Sequence, residues 1–324
     1  MGWPRRFSRG AFERVALILV WAAVAVFFSV LPATSTTFPT LGNAATIFGS
    51  QAVIVVLTLG LIIPMTAGDF DISVAYNLTL SSMIVAILNV NDGWPIAAAI
   101  GVALLAGVVI GLTNGFFAVL VGIDPFIATL GTGTVVGGIV FWISNSNTIS
   151  GISSQLVHPV ILDRVFGIPL EFFYALVLAL ILWYVFEFTP MGRRLLIVGR
   201  SRSVARLSGI RVRRVRWGAF VASGLISAIA GVMYAGSSGA ADPTSGTTFL
   251  LPAFAGAFLG ATTIMPGRYN PWGSVVATYF LVTGITGLEL LGASSYVQDL
   301  FYGGALVGAV SLSQVVRRSH ASEV

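Results

Sequence analysis

The chain has 324 residues, 56% of them hydrophobic and only 9% charged, with a mean hydropathy of +0.93, whereas a soluble domain carries about 25% charged residues. That composition excludes a soluble globular fold, and the formal net charge of +5 is no nucleic-acid signal because no soluble domain exists to present a groove. The cysteine count is 0 and all 17 Lys-or-Arg positions are arginine, which excludes disulfides, thiol catalysis and Cys-based metal sites.

Apolar runs long enough to cross a bilayer, which takes about 20 residues per helix, recur along nearly the whole chain. The first, from Ala11 to Leu31, is too long for a signal-peptide core and lacks a small-residue cleavage pattern before Pro32, so it reads as a retained helix. Expected spans are 12–31, 44–64, 72–90, 95–121, 125–144, 170–188, 217–236, 249–264, 272–291 and 297–316. The fold class is therefore all-α, a polytopic membrane protein with about ten transmembrane helices. The expected organisation is an N-terminal tail 1–10, a transmembrane domain 11–316 interrupted by a basic loop 192–216, and a C-terminal tail 317–324. Basic residues are retained on the cytoplasmic side, and with both termini cytoplasmic every arginine except Arg164 falls there. Arg164 sits with His158 and Asp163 in an external loop between Asn145 and Pro169.

Between the second and third spans, "PMTAGDFDIS" (Pro64–Ser73) sets two carboxylates, Asp69 and Asp71, one residue apart. Pro64 and Gly68 interrupt a hydrophobic pattern that resumes at Ile72, and irregular backbone at membrane depth is tolerated only where it is buried in protein or lines a cavity. An aspartate at the bilayer centre costs ~2.5–3.5 kcal/mol on insertion scales, so Asp71 is expected to face polar groups, helix-end N–H groups or water. The plainer alternative is a cytoplasmic turn in which Asp71 caps the next helix and Asp69 is an exposed neighbour. Paired carboxylates also raise acid/base or metal chemistry. The histidines are His158 and His320, and the chain has no His-x-x-x-His pair, no Gly-x-Ser-x-Gly elbow and no P-loop lysine, so no catalytic residue, metal ligand or cofactor is expected. Energy for any pumping must then come from partners.

Farther on, "GRRLLIVGRSRSVARLSGIRVRRVR" (Gly192–Arg216) is dense in arginine. Such a loop fixes topology and touches anionic membrane lipid. Its pattern carries more: Ser201 or Ser203 caps a short helix, Val204, Ala205 and Leu207 are spaced to share a face, and Gly209 ends it in a left-handed conformation. Such a helix lies below the ~12–15 residues that make isolated helices viable. It needs a partner to pack against, so Ser203, Val204, Ala205, Arg206, Leu207, Ser208 and Gly209 form a candidate docking element.

These blocks resemble, in order and from about Ala52 to Ser313, the integral-membrane permeases of bacterial sugar ABC importers of the ribose/xylose/galactoside type. "GDFDIS" looks like the family's Gly-Gly-Ile-Asp-Leu-Ser block, and "NGFFAVLVGIDPFIATLGT" is similar to its Asn-Gly … Pro-Pro-Phe-Ile-x-Thr-Leu-Gly-Thr block. "GRRLLIVGRSRSVARLSGI" resembles the stretch ending Ala-x-Leu-Ser-Gly-Ile, and "SGAADPTSGTTFLLPAFAGAFLGATTI" the Gln-Pro-x-x-Gly … Ile-Gly-Gly block. The resemblance implies a permease in the bacterial plasma (inner) membrane, paired with a second copy or a paralogue. It also implies two cytosolic ATPase subunits, a periplasmic or lipid-anchored sugar-binding protein, and the Ser203–Gly209 segment as the coupling helix. Two departures stand out: Asp69 occupies the position of the family's second Gly, and "MPGRYNPWGS" is longer than the usual turn.

Under this resemblance Asp69, Asp71, Ser73, Asn77, Asn114, Phe126, Thr129 and Thr132 are candidate substrate-path residues. Asp71 would hold the broken helix end while Asp69 reaches the solvated path, and Phe126 would stack on a sugar's apolar face. Small polar residues such as these also serve as ordinary helix–helix contacts in membranes. "NGFFAVLVGIDPFIATL" is echoed by "TGLELLGASSYVQDLF" five spans later, and an odd offset inverts topology, as in a 5+5 inverted repeat. The sequence leaves two other readings open: a branched-chain amino-acid permease, and an ion-coupled secondary transporter using Asp69 and Asp71.

Overall fold

A computed structural model describes the backbone of residues 5–321 and the side chains of residues 14–311. The helix α1 (Arg5–Val30) leads to α2 (Leu41–Ala45), which continues through a π-helical turn, Thr46–Ser50, into α3 (Ala52–Thr66). The next helices are α4 (Ser73–Ala86) and α5 (Ile96–Gly115), each ending in a π-helical turn, and α6 (Pro125–Ile143). Then come α7 (Ser154–Val157), α8 (Leu170–Phe188), α9 (Pro190–Arg200), α10 (Arg202–Leu207) and α11 (Val212–Ser238). The described chain closes with α12 (Ser245–Gly260), α13 (Pro271–Leu290) and α14 (Tyr296–Ala321).

Each expected span overlaps a helix. Among the described residues, 7 helices are long and apolar enough to cross a membrane, and shorter apolar helices lie at Arg14–Val30 and Ser245–Gly260. The molecule is thus a polytopic, mainly helical membrane protein. Within the expected tails only the backbone of 5–10 and 317–321 is described, and it is helical, continuing α1 and α14.

A helix that is apolar all round faces either lipid or the protein interior, and α3 faces the interior, since every residue from Ala52 to Thr66 is buried. Around α3 pack α8, α11, α12 and α13, while α11 also runs against α4 and α5. Without a hydrophobic force between helices in lipid, close packing through small residues holds such crossings. At the crossing of α5 and α11, a Cβ on Gly224 would sit 2.4 Å from the Gly107 carbonyl oxygen, so the two backbones touch because neither position carries a side chain.

Local chemistry moves several expected boundaries. Pro64 lies within the last turn of α3, which continues to Thr66; the chain breaks at Gly68, whose φ of +80° is favoured by glycine. The stretch 192–216 is almost wholly helical, with α11 starting at Val212. The 145–169 connection holds α7 and a hairpin in which β2 (Arg164–Val165) pairs with β3 (Ile168–Pro169). Its first strand, β1 (Ile149–Ser150), pairs with β4 (Ala240–Ala241) after α11. Nearby, Thr148 donates to Asp242 Oδ2 at 2.7 Å, and hydrogen bonds from Thr244 and Thr148 hold the Asp242 carboxyl below the usual carboxylate range.

Candidate functional site

The break between α3 and α4 sends Asp69 and Asp71 in different directions. Ile72, at the cap position of α4, offers no side-chain acceptor. Asp71 supplies one, its Oδ1 accepting from the Ser73 N–H at 3.1 Å and the Ser73 hydroxyl at 2.6 Å. Its other oxygen accepts from Ser223 of α11 at 2.9 Å. Asn114 of α5 donates to Ser73 Oγ at 2.7 Å and toward Asp71 at 3.4 Å. Thr132 of α6 in turn donates to the Asn114 side-chain carbonyl. Thr129, one turn earlier, accepts from the Ile72 N–H at 3.1 Å and donates to the Pro125 carbonyl at 2.8 Å.

Five of the expected path residues, Asp71, Ser73, Asn114, Thr129 and Thr132, therefore form one network joining the break to α4, α5, α6 and α11. Buried polar groups must be hydrogen-bonded, and these satisfy one another. Thr132 alone of the five is half-buried, and it lines an apolar groove of about 700 Å³ between α5 and α6.

The other three lie apart. Asn77 is fully buried and donates to the Gly224 carbonyl at 2.7 Å, tying α4 to α11 beside the glycine crossing. Phe126 is 50% exposed and borders an apolar recess of about 470 Å³ with Phe70, Ile72, Phe254 and Phe258. Asp69, expected to be solvated, is 1% exposed. Its Oδ2 accepts from Arg216 Nε at 2.7 Å, and its Oδ1 accepts from Arg216 and Arg202 at 2.8 Å each. The physical reason is charge: a buried carboxylate needs a paired cation, and the arginine-rich segment surrounds it.

On that segment, Ser201 rather than Ser203 caps α10, its Oγ accepting from the Val204 N–H at 3.3 Å. Gly209 follows the helix with φ +76°. The three apolar residues do not share one face. Val204 and Leu207, three apart, point outward with 54% and 89% exposure, while Ala205 is fully buried, one helical step of about 100° away. Ser203, Arg206, Ser208 and Gly209 are exposed. Arg193, Arg194, Arg211 and Arg214 border an adjoining recess of about 540 Å³.

Sequence reasoning missed Arg202, Arg216 and Ser223 as partners of the two aspartates. The signal was available for the arginines, because the expected topology brings the break and the basic loop to one side of the membrane. It also missed Glu171, fully buried at the start of α8, with neither carboxylate oxygen hydrogen-bonded. Among the described residues no group of three His, Cys, Asp or Glu side chains converges to hold a metal ion.

Comparison with known proteins gives a consistent result. Residues 43–310 match the family model described as branched-chain amino acid transport system / permease component. The chain is 32% identical over 309 residues, 95% of its length and 92% of the relative's, to the D-allose transport system permease protein AlsC of Escherichia coli (strain K12). It is 32% identical over 259 residues, 80% of each chain, to the ribose import permease protein RbsC of Bacillus subtilis (strain 168). To the autoinducer 2 import system permease protein LsrD of Photorhabdus laumondii it is 31% identical over 269 residues, covering 82% of this chain and 79% of the other. No solved structure matches.

Proposed function

The chain belongs to the branched-chain amino acid transport system permease family, and from that premise we propose that it forms the translocation path of an ATP-driven importer for a monosaccharide or related polyol. It is a multi-pass inner-membrane protein. Permease components are not enzymes; separate ATPase subunits hydrolyse ATP, and a substrate-binding protein delivers the ligand. The observation that carries this reading is α10: a capped helix with Leu207 projecting from an arginine-rich face. An apolar side chain so exposed beside fixed positive charge suits insertion into a groove on an ATPase.

The finer assembly is two ATPase subunits, a second permease copy or paralogue, and a periplasmic or lipid-anchored binding protein, with anionic lipid at the arginine face and no nucleic acid. Residues 11–316 act as the permease domain with ten spans, both termini cytoplasmic, and 192–216 as its coupling segment. A 5+5 inverted repeat rests on the echo between the segments that enter α6 and α14. Of the candidate path residues, Phe126 and Thr132 border open grooves and are the ones to meet substrate. Asp71, Ser73, Asn114 and Thr129 brace the wall behind them.

The names of the relatives favour a sugar over a branched-chain amino acid. Ion coupling through the aspartates is disfavoured by their bonding, since two arginines engage Asp69 and hydroxyl, amide and backbone donors engage Asp71. Uptake of candidate sugars by cells carrying the full system tests the reading. Uptake is expected to collapse on ATP depletion and to survive an uncoupler; the reverse pattern overturns it.

A further inference from the structure

We infer that Asp69 is a latch: it ties the docking helix α10 to the broken end of α3 and so transmits movement of that helix to the buried polar network at Asp71. The inference rests on the reading of α10 as the ATPase-docking element and goes beyond it by naming how the docking signal enters the membrane helices.

The geometry converges on one carboxylate. Arg202 is the first residue of α10, and it donates to Asp69 Oδ1 at 2.8 Å and to the Gly68 carbonyl at 3.3 Å. Arg216, within the first two turns of α11, takes both Asp69 oxygens in a fork and reaches the Ala118 carbonyl at 3.4 Å. Bidentate, charge-assisted hydrogen bonds of this kind combine strength with fixed direction. Asp69 therefore joins three segments that are far apart in sequence: the α3–α4 break, α10 and α11.

A steric contact runs beside the ionic one. Gly199, in the last turn of α9, lies so close to the end of α3 that a Cβ there would sit 2.0 Å from the Thr66 carbonyl oxygen. The α9–α10 corner and the α3–α4 break are thus in backbone contact and ion-paired at once, and neither moves without the other. Two residues beyond Asp69, Asp71 holds Ser223, Ser73 and Asn114, and Asn114 holds Thr132 on α6. A displacement of α10 reaches Thr132 through this unbroken chain of short contacts. A packed interior with discrete hydrogen-bond partners passes such a shift on rather than absorbing it.

The arms of the latch differ in exposure, and that makes the inference testable. The Arg216 side chain is 11% exposed and the Arg202 side chain 41%. Replacing Asp69 strands a buried guanidinium and risks the fold. Arg202→Gln cuts only the α10 arm and leaves the Asp69–Arg216 pair intact. Asp69 and Arg202 are positioning residues, so the readout is transport per ATP hydrolysed, measured with the complete complex in proteoliposomes.

For Arg202→Gln we expect ATPase pull-down and ATP hydrolysis like the parent's, with transport per ATP reduced about 5-fold or more, the lower end of common coupling effects. Arg202→Lys, which keeps the charge but not the guanidinium, should recover part of the loss. Unchanged transport per ATP in Arg202→Gln overturns the latch. So does loss of pull-down, which would make Arg202 a docking contact. If the parent chain itself neither binds an ATPase nor transports, the proposed function fails instead, and the parent control separates the two outcomes.

Discussion

Asp71 and Glu171 are both fully buried carboxylates, but Asp71 accepts from Ser73, Ser223 and Asn114 while Glu171 makes no hydrogen bond of good geometry. Removing one partner of a satisfied pair orphans the other at about 1–3 kcal/mol, and the loss of a helix-capping acceptor costs about 1 kcal/mol. Asp71→Ala is therefore expected to lower the melting temperature of the purified protein and its yield in the membrane. Glu171→Gln removes a buried ionisable group that has only Ser237 and Tyr279 as polar neighbours, and should leave the melting temperature level or raise it. Thermal unfolding of the two variants in detergent, side by side, checks this. A fall for Glu171→Gln as large as that for Asp71→Ala would show that Glu171 serves a bonded partner after all.

At the scale of the element, α10 gives the cleanest separation of roles because its faces differ so sharply. Leu207 is 89% exposed and Ala205 fully buried. Leu207→Asp should leave the permease folded and inserted while reducing recovery of the ATPase in pull-downs. Ala205→Leu should instead lower folded permease, because extra methylenes forced into a packed site cost about 1–3 kcal/mol. Undiminished ATPase recovery and uptake in Leu207→Asp would sink the docking assignment. The same helix shows what was legible beforehand. Its existence, its glycine end and its length followed from local rules at Ser201 and Gly209. Which apolar residues face outward did not, because that depends on what α9 and α11 press against Ala205. The polar network was half legible in the same sense. Asp71, Ser73, Asn114, Thr129 and Thr132 stood out as costly residues in apolar spans, and they do gather. Asp69 was misjudged as solvated, because its exposure depends on Arg202 and Arg216, more than 130 residues downstream.

At the scale of the whole molecule, the topology proposed from arginine placement can be read directly, since the chain contains no cysteine to interfere. An impermeant thiol reagent applied to intact cells should label Arg164→Cys and spare Arg200→Cys, both at exposed positions; labelling of Arg200→Cys alone would invert the assignment. The burial of α3 also bears on how the protein is made. Every residue of that helix is enclosed, yet α11, α12 and α13, which do much of the enclosing, are synthesised long after it. At about 5–20 residues/s, roughly 7–30 s separate the emergence of Thr66 from that of Val212. Throughout that interval the ribosome has delivered a helix most of whose permanent neighbours do not yet exist, and lipid or an insertion factor must occupy their places. The N-terminal half is accordingly a client of its own C-terminus, and a premature stop after α8 should consign it to membrane proteolysis rather than leave a half-transporter behind.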